Sequence, residues 1–265
     1  MGVLNVTPDS FSDGGLHRDG EGAIAHGLAM AAAGAALVDV GGESTRPGAG
    51  AVPEPEEADR VLPVVRALAE AGVVVSVDTA KAGVAAAALE AGAAVVNDVT
   101  SLGDPEMAGV VAEHGAGLVL MHMQGDPRTM QDDPRYGDVV AEVTRFLVDR
   151  AAAAREAGVD RRGICIDPGI GFGKNLEHNL ALLANLGALA ETGFPVMIGA
   201  SRKSWIPALL GEVPMVERDP LSAVAHALAV AGGASVIRVH DVVMGLRSAR
   251  IADAIVRASA KGRHR

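Results

Sequence analysis

A single cysteine, Cys165, among 265 residues excludes a disulfide framework within the chain. Set in an apolar stretch, it reads as a buried strand residue and fits a reducing cytoplasm. No run of about 18 apolar residues exists, which excludes a helical membrane span. The amino terminus has no basic segment ahead of an apolar core, so no secretory signal is expected. Positive charge is also short: 23 Lys and Arg against 33 Asp and Glu leave a net charge of -10 and a pI near 5.2. The electrostatic footprint of a nucleic-acid or polybasic membrane binder is therefore missing. An anionic ligand would have to be held by a few local positive groups. These absences point to a cytoplasmic protein that binds neither nucleic acid nor a membrane.

What is present is a chain 49% hydrophobic and 21% charged, enough to bury a large core as one domain over residues 1–265. Short apolar runs bounded by glycine recur at 2–6, 37–40, 73–77, 94–96, 118–121, 164–166, 196–198 and 235–239. Their hydrophobicity reads as continuous, as burial on both faces demands. Between them, Ala-rich segments with helical spacing cover 22–33, 56–71, 81–91, 105–114, 139–157, 176–190, 222–231 and 245–260, the fourth being the shortest. Strand then helix, eight times over, predicts an α/β fold closed into a (β/α)8 TIM barrel. An open doubly wound sheet is the alternative, weakened because no G-x-G-x-x-G follows the first strand. Gly34, Gly72, Gly92, Gly115 and Gly158 each follow a helical segment and are expected to end it at positive φ. The tail, 261–265, reads as a solvated basic end.

The strand ends are polar: NVTPDSFSDGG at 5–15, GGESTRPG at 41–48, SVDT at 76–79, NDVTS at 97–101, DPGIGFGK at 167–174, ASRKS at 200–204 and RVHD at 238–241. Barrels of this type carry their chemistry at the carboxyl ends of the strands. Asn5, Thr45, Arg46, Asp78, Asn97, Asp167, Lys203, Arg238 and His240 are thus expected around one mouth. Thr79 and Asp98 could equally cap the helices that follow. Asp78 and Asn97 are weaker candidates for caps, since they close apolar strands where a carboxylate needs partners to offset its desolvation. Two carboxylates, an amide and an ammonium suit a flat heterocycle with an amino-pyrimidine edge, a pterin or a purine-like ring. Arg238 and His240 alternate on one strand, on the same face as each other and beside Asn5, as a clamp for an anion or a metal-phosphate.

Other residues are more ambiguous. His122 ends the fifth strand between Met121 and Met123, with no second ligand at helix or strand spacing to make a metal site. Met121 or Met123 is expected to pack against a bound ring. Gly169, Gly171 and Gly173 mimic a phosphate loop, but Lys174 is followed by Asn175 and not by Ser or Thr; they read as a turn that lets Phe172 reach the mouth. Trp205, after Lys203 and Ser204, either shields that site or simply packs.

Seven blocks in order, MGVLNVTPDSFSDGG, VDVGGESTRPGA, VSVDT, VVNDVTS, IDPGIGFGK, GASRKS and IRVHDV, span nearly the whole chain. On these blocks the sequence resembles the dihydropteroate synthases of the pterin-binding barrel family. The resemblance implies that 4-aminobenzoate displaces diphosphate from (7,8-dihydropterin-6-yl)methyl diphosphate, with Mg2+ on the diphosphate. It implies that Asp78, Asn97, Asp167, Lys203 and Met121 hold the pterin, while Asn5, Arg238 and His240 hold the diphosphate, Asn5 also meeting the metal. Phe11, Thr45, Arg46, Pro47, Phe172, Lys203 and Ser204 would form the aminobenzoate pocket. Asp78, Lys203 and Arg238, with Asp9 and Asp13 of the first loop, would carry catalysis. The two long loops, with Gly14, Gly15, Gly48 and Gly50, would close over the site and exclude water. A homodimer through the later helices is implied, the segment 222–231 offering a close helix-helix face. Relatives carry residues upstream of the first strand that cover the bottom of the barrel; Met1 already lies in that strand, which is expected to touch stability more than chemistry. Two other functions fit part of the pattern. A methyltetrahydrofolate methyltransferase of the same family would keep Asp78, Asn97 and Asp167 without needing the loop motifs. A catalytically silent paralogue that binds pterin would have lost Lys203, Arg238 or the loop aspartates, and these are present.

Overall fold

The computed structural model describes residues 1–7, 16–44, 50–126 and 129–262, with the backbone alone for 16–19 and 260–262. Eight strands run in chain order: β1 Gly2–Asn5, β2 Val38–Gly41, β3 Val75–Asp78, β4 Val95–Asp98, β5 Gly117–Met121, β6 Ile164–Asp167, β7 Met197–Ile198 and β8 Val236–Ile237. Strands β1 to β6 form one parallel sheet in sequential order and β7 pairs in parallel with β8. Single bridges join the two sheets, Ile166 to Val196 on one side and Gly2 to Val239 on the other. Val3 N–H donates to Val239 O at 2.9 Å, and Ile166 N–H to Pro195 O at 2.9 Å, so the ladder closes on itself. This is the expected (β/α)8 barrel, not the open sheet.

Strands β7 and β8 are shorter than their apolar runs suggest. Ser235 and Val236 both donate to Val196 O, at 2.8 and 3.1 Å, and two donors on one acceptor delay the regular ladder by a residue. The helices are α1 Leu16–Ala32, α2 Glu54–Glu70, α3 Ala82–Glu90, α4 Met107–His114, α5 Val139–Glu156, α6 Leu176–Ala184, α7 Leu186–Ala190, α8 Trp205–Leu210, α9 Arg218–Ala231 and α10 Val242–Gly262. The expected single helix over 176–190 is broken at Asn185, whose φ of -120° leaves the helical region and whose side chain donates to Ala181 O at 2.8 Å. The five-residue α7 and the six-residue α8, not α4, are therefore the shortest. Helix α9 starts four residues before the expected 222, because Pro220 falls in the first turn, where a missing N–H costs no helical hydrogen bond. The five glycines expected to end helices all take positive φ, from 61° at Gly115 to 108° at Gly92.

The core is the ring between sheet and helices. Leu4, Val38, Val40, Val75, Val77, Val96, Leu118, Leu120, Ile164 and Ile166 share it with Val61, Leu68, Val111, Leu147 and Leu182 of the helices. Strand residues alternate sides. The other face, inside the barrel, receives Asp39, Ser76, Asp78, Asn97 and Asp167, all buried. The strands are thus two-sided, correcting the reading of continuous hydrophobicity. The helix-facing positions are apolar except at Asp98, the last residue of β4, while the barrel interior carries the polar groups that a mouth at its carboxyl end requires.

Candidate active site

Arg238, immediately after β8, reaches into the barrel between two carboxylates. Its Nε donates to Asp39 Oδ2 at 2.6 Å and its Nη2 to Asp78 Oδ2 at 2.7 Å. Asn97 on β4 donates its Nδ2 to the same Asp39 oxygen at 3.0 Å. One guanidinium thus serves two buried carboxylates, so negative charge is in excess there. Burial pushes the Asp78 carboxyl up to about 7; Arg238 pulls the other way, and the like charge of Asp39 adds to the rise. Burial draws Arg238 down, but Asp39 and Asp78 outweigh it and hold the guanidinium above its ordinary value.

The opposite wall is built by the ends of β6 and β7. Asp167 Oδ1 accepts from Gly169 N–H at 2.7 Å, and burial raises its carboxyl against the pull of Lys203. Lys203 donates to the Ile170 carbonyl, and its ammonium lies 4.1 Å from the centroid of the Phe172 ring. Burial draws this lysine down to about 7, opposed by Asp167. Gly199 separates the two walls: a side chain there would stand 3.8 Å from both Asp167 Oδ2 and Arg238 Cβ. Met121 ends β5 and is buried beside Gly169.

Of the expected residues, Asp78, Asn97, Asp167, Lys203, Arg238, Met121 and Phe172 converge on this mouth. Asn5 ends β1, half-buried, in register with Gly41. Strand β8 ends at Ile237, so Arg238 and His240 both lie just beyond it. Their partners differ: Arg238 reaches the carboxylates, while His240 Nδ1 lies 2.9 Å from Ser201 Oγ. Ser204 is exposed on the rim. Trp205 is buried and donates its Nε1 to Ala200 O at 3.1 Å, which favours the packing role. Neither Thr79 nor Asp98 caps a helix. Thr79 Oγ1 accepts from Lys81 N–H at 3.2 Å, and Asp98 holds a turn by accepting from Thr100 and Leu102 N–H at 2.8 and 2.6 Å. Asp9, Phe11, Asp13, Thr45, Arg46 and Pro47, with Gly14, Gly15 and Gly48, lie outside the described residues.

The sequence profile of the pterin binding enzymes matches residues 1–240. The chain belongs to the pterin-binding enzyme family. Dihydropteroate synthase of Escherichia coli K12 is 46% identical to this family member over 265 residues, covering 100% of this chain and 94% of the relative. The dihydropteroate synthase of Xanthomonas albilineans solved with 4-aminobenzoic acid superposes with a TM-score of 0.90 at 50% identity, over 96% of this chain and 92% of that one. The same bacterium's enzyme in complex with 7,8-dihydropteroate gives a TM-score of 0.87 at 46% identity, with the same coverages.

Three parts of this pterin-binding enzyme's site escaped the sequence reading. Asp39 lies mid-strand in LVDVGG; the available signal was a carboxylate between two buried valines. Ser201, the partner of His240, sits beside Lys203 in a block that was read for its lysine. Lys174 is 2% exposed and donates from Nζ to His122 Nδ1 at 2.9 Å and to the Phe172 carbonyl at 2.9 Å. Burial draws Lys174 down to about 7 and His122 to about 3, the lysine charge adding to the latter. A neutral His122 therefore accepts from Lys174, and together they anchor the turn that presents Phe172. Among the described residues no group of three or more His, Cys, Asp or Glu side chains is placed to hold a metal ion by itself.

Proposed function

We propose that this protein is a transferase of folate biosynthesis, a dihydropteroate synthase. It joins 4-aminobenzoate to (7,8-dihydropterin-6-yl)methyl diphosphate, giving 7,8-dihydropteroate and diphosphate. The observation that carries the reading is the buried set of Asp78, Asn97 and Asp167, with half-buried Lys203 and Arg238, at one barrel mouth, in a chain similar over its full length to dihydropteroate synthases.

The chemistry follows from the groups. Asp78 and Asp167 accept from ring N–H and amino groups, Asn97 adds an amide, and Lys203 donates to the ring carbonyl. No enzyme nucleophile is needed, because the diphosphate leaves readily once its charge is offset, and the electron-rich dihydropterin stabilises the cation that develops on the exocyclic carbon. Asp78 faces the ring nitrogen that becomes more positive. Its carboxylate form is the useful one, so its raised pKa ties turnover to pH. Arg238, His240 and Asn5 receive the diphosphate. Asn5 would hold Mg2+ through its amide oxygen, and bound Mg2+ would supply charge neutralisation on the leaving diphosphate. Phe172, Lys203 and Ser204, with Phe11, Thr45, Arg46 and Pro47, form the aminobenzoate side. Asp9 and Asp13 belong to the first loop, which excludes water from the cation.

The protein works as one barrel domain in the cytoplasm, in keeping with a single free Cys165, and as a homodimer. Val224 and Leu228 of α9, with Ile251 and Ile255 of α10, are 61 to 67% exposed on two helices packed against each other, an apolar face that suits a second copy. Diphosphate release, measured with and without 4-aminobenzoate while the organic product is identified by mass, tests the activity. Aminobenzoate-dependent 7,8-dihydropteroate is the expected result. Tight pterin diphosphate binding without turnover would favour the silent paralogue, and absence of binding would overturn the pterin site.

A further inference from the structure

We infer that Asp39 is a positioning residue that sets the hydrogen-bonding polarity of the pterin site and so its choice of ring. The inference rests on the pterin reading above and names a residue that does not itself meet the ring. Asp39 is fully buried in the middle of β2, and its Oδ2 receives both Arg238 Nε at 2.6 Å and Asn97 Nδ2 at 3.0 Å. A carboxamide has a donor end and an acceptor end that a half-turn exchanges. Facing a carboxylate oxygen, the exchanged form would set acceptor against acceptor; Asp39 thereby commits Asn97 to one orientation. The amide oxygen is left on the other side, and Asn97 Oδ1 is buried without a hydrogen-bond partner, as is Asp39 Oδ1. A buried acceptor left empty costs free energy that a ligand N–H recovers. Through the same oxygen Asp39 holds the Nε side of Arg238, while Asp78 takes Nη2, so the guanidinium plane is pinned at two points.

The consequence is a mouth rich in acceptors, Asp78, Asn97 Oδ1 and Asp167, with Lys203 as the donor. Such a site favours a ring bearing an amino group over the same ring bearing an oxo group at that position, because the oxo form sets its oxygen against an acceptor. The discrimination depends on Asn97 staying in one orientation.

The test is equilibrium binding of 6-hydroxymethyl-7,8-dihydropterin and of its 2-oxo analogue to wild type, Asp39→Ala, Asp39→Asn and Asn97→Ala, with the Michaelis constant for 4-aminobenzoate measured alongside. Asp39→Ala removes the oxygen that fixes the amide, so the amino-over-oxo preference is expected to fall by about tenfold, with the aminobenzoate constant little changed. Asp39→Asn can keep an amide oxygen in the place of Oδ2, accepting from both Arg238 and Asn97, so the preference should stay within about threefold of wild type. An unchanged preference in Asp39→Ala, or a loss in Asp39→Asn as large as that in Asp39→Ala, overturns the inference. Should Asp39→Ala fail to fold, Asn97→Ala, which removes the oriented acceptor itself, decides: a retained preference there overturns the inference. A wild type that binds neither ring would instead overturn the pterin reading.

Discussion

The guanidinium of Arg238 is shared by Asp39 and Asp78, and this arrangement leaves the site with more acceptors than it can satisfy. Such a cluster is stable only because the fold holds it and because a ligand supplies donors. Lys203→Ala removes the principal donor to the ring and is expected to weaken pterin binding and turnover together, about tenfold or more; pterin affinity and kcat at wild-type values would refute its assignment. Asp78 and Lys203 both titrate near 7, and the useful pair is carboxylate with ammonium. Below about 7 Asp78 takes up a proton and above it Lys203 loses one, so kcat/KM for the pterin substrate is expected to be bell-shaped around neutral pH. Lys203→Arg, whose charge persists, should move the alkaline limb upward and leave the acid limb in place; a pH profile of the two proteins checks this. Asp78, Asn97, Asp167 and Arg238 were legible because each is a polar residue at or just past the end of an apolar strand, and Lys203 because it lies in the polar block that follows one. Asp39 was not, since its role depends on which face of β2 it occupies and on what β4 and β8 bring opposite it.

At the level of elements, the loops that carry the site are tied down by buried polar contacts and by backbone contacts too close for a side chain. Gly169 has a φ of 69°, and a Cβ there would come 1.9 Å from the His122 carbonyl oxygen. Gly169→Ala is therefore expected to destabilise the protein by more than about 1 kcal/mol, seen as a lower midpoint in urea unfolding; an unchanged midpoint would mean that the turn yields without strain. Lys81, just ahead of α3, pairs with Glu43 and with Glu57 of α2, whose carboxylate is buried. Glu43 also accepts from Val52 N–H at 3.3 Å, which links the two ends of the second loop. Lys81→Ala leaves Glu57 without its cation and should cost about 3 kcal/mol in chemical denaturation. Lys81→Ala with Glu57→Gln should recover part of that loss, and no recovery would place the effect elsewhere. Glycines at helix ends were legible one by one because φ > 0 is a local demand. The break at Asn185 was not, because both halves keep helical spacing and the turning point lies in a single side-chain bond.

The whole molecule is a ring whose last two strands contribute two ladder residues each and whose closure rests on the bridges Gly2 to Val239 and Ile166 to Val196. Outside the ring, α9 and α10 keep Val224, Leu228, Ile251 and Ile255 exposed. Val224→Asp with Leu228→Asp is expected to convert the proposed dimer into monomers in sedimentation experiments while leaving pterin binding intact; a dimer of unchanged stability would rule out this face. By itself the sequence determined the α/β class, the count of eight strands, the helix-ending glycines and the polar strand ends, since apolar periodicity, positive φ and desolvation act within a few residues. Only the tertiary structure decided which side of each strand faces the barrel interior, that Asp39 and Asp78 share Arg238, and that Lys174 and His122 hold the turn of Phe172. Those partners lie 52 residues apart for Lys174 and His122 and 199 for Arg238 and Asp39. Their meeting depends on the register and closure of the whole barrel, which no local window of sequence contains.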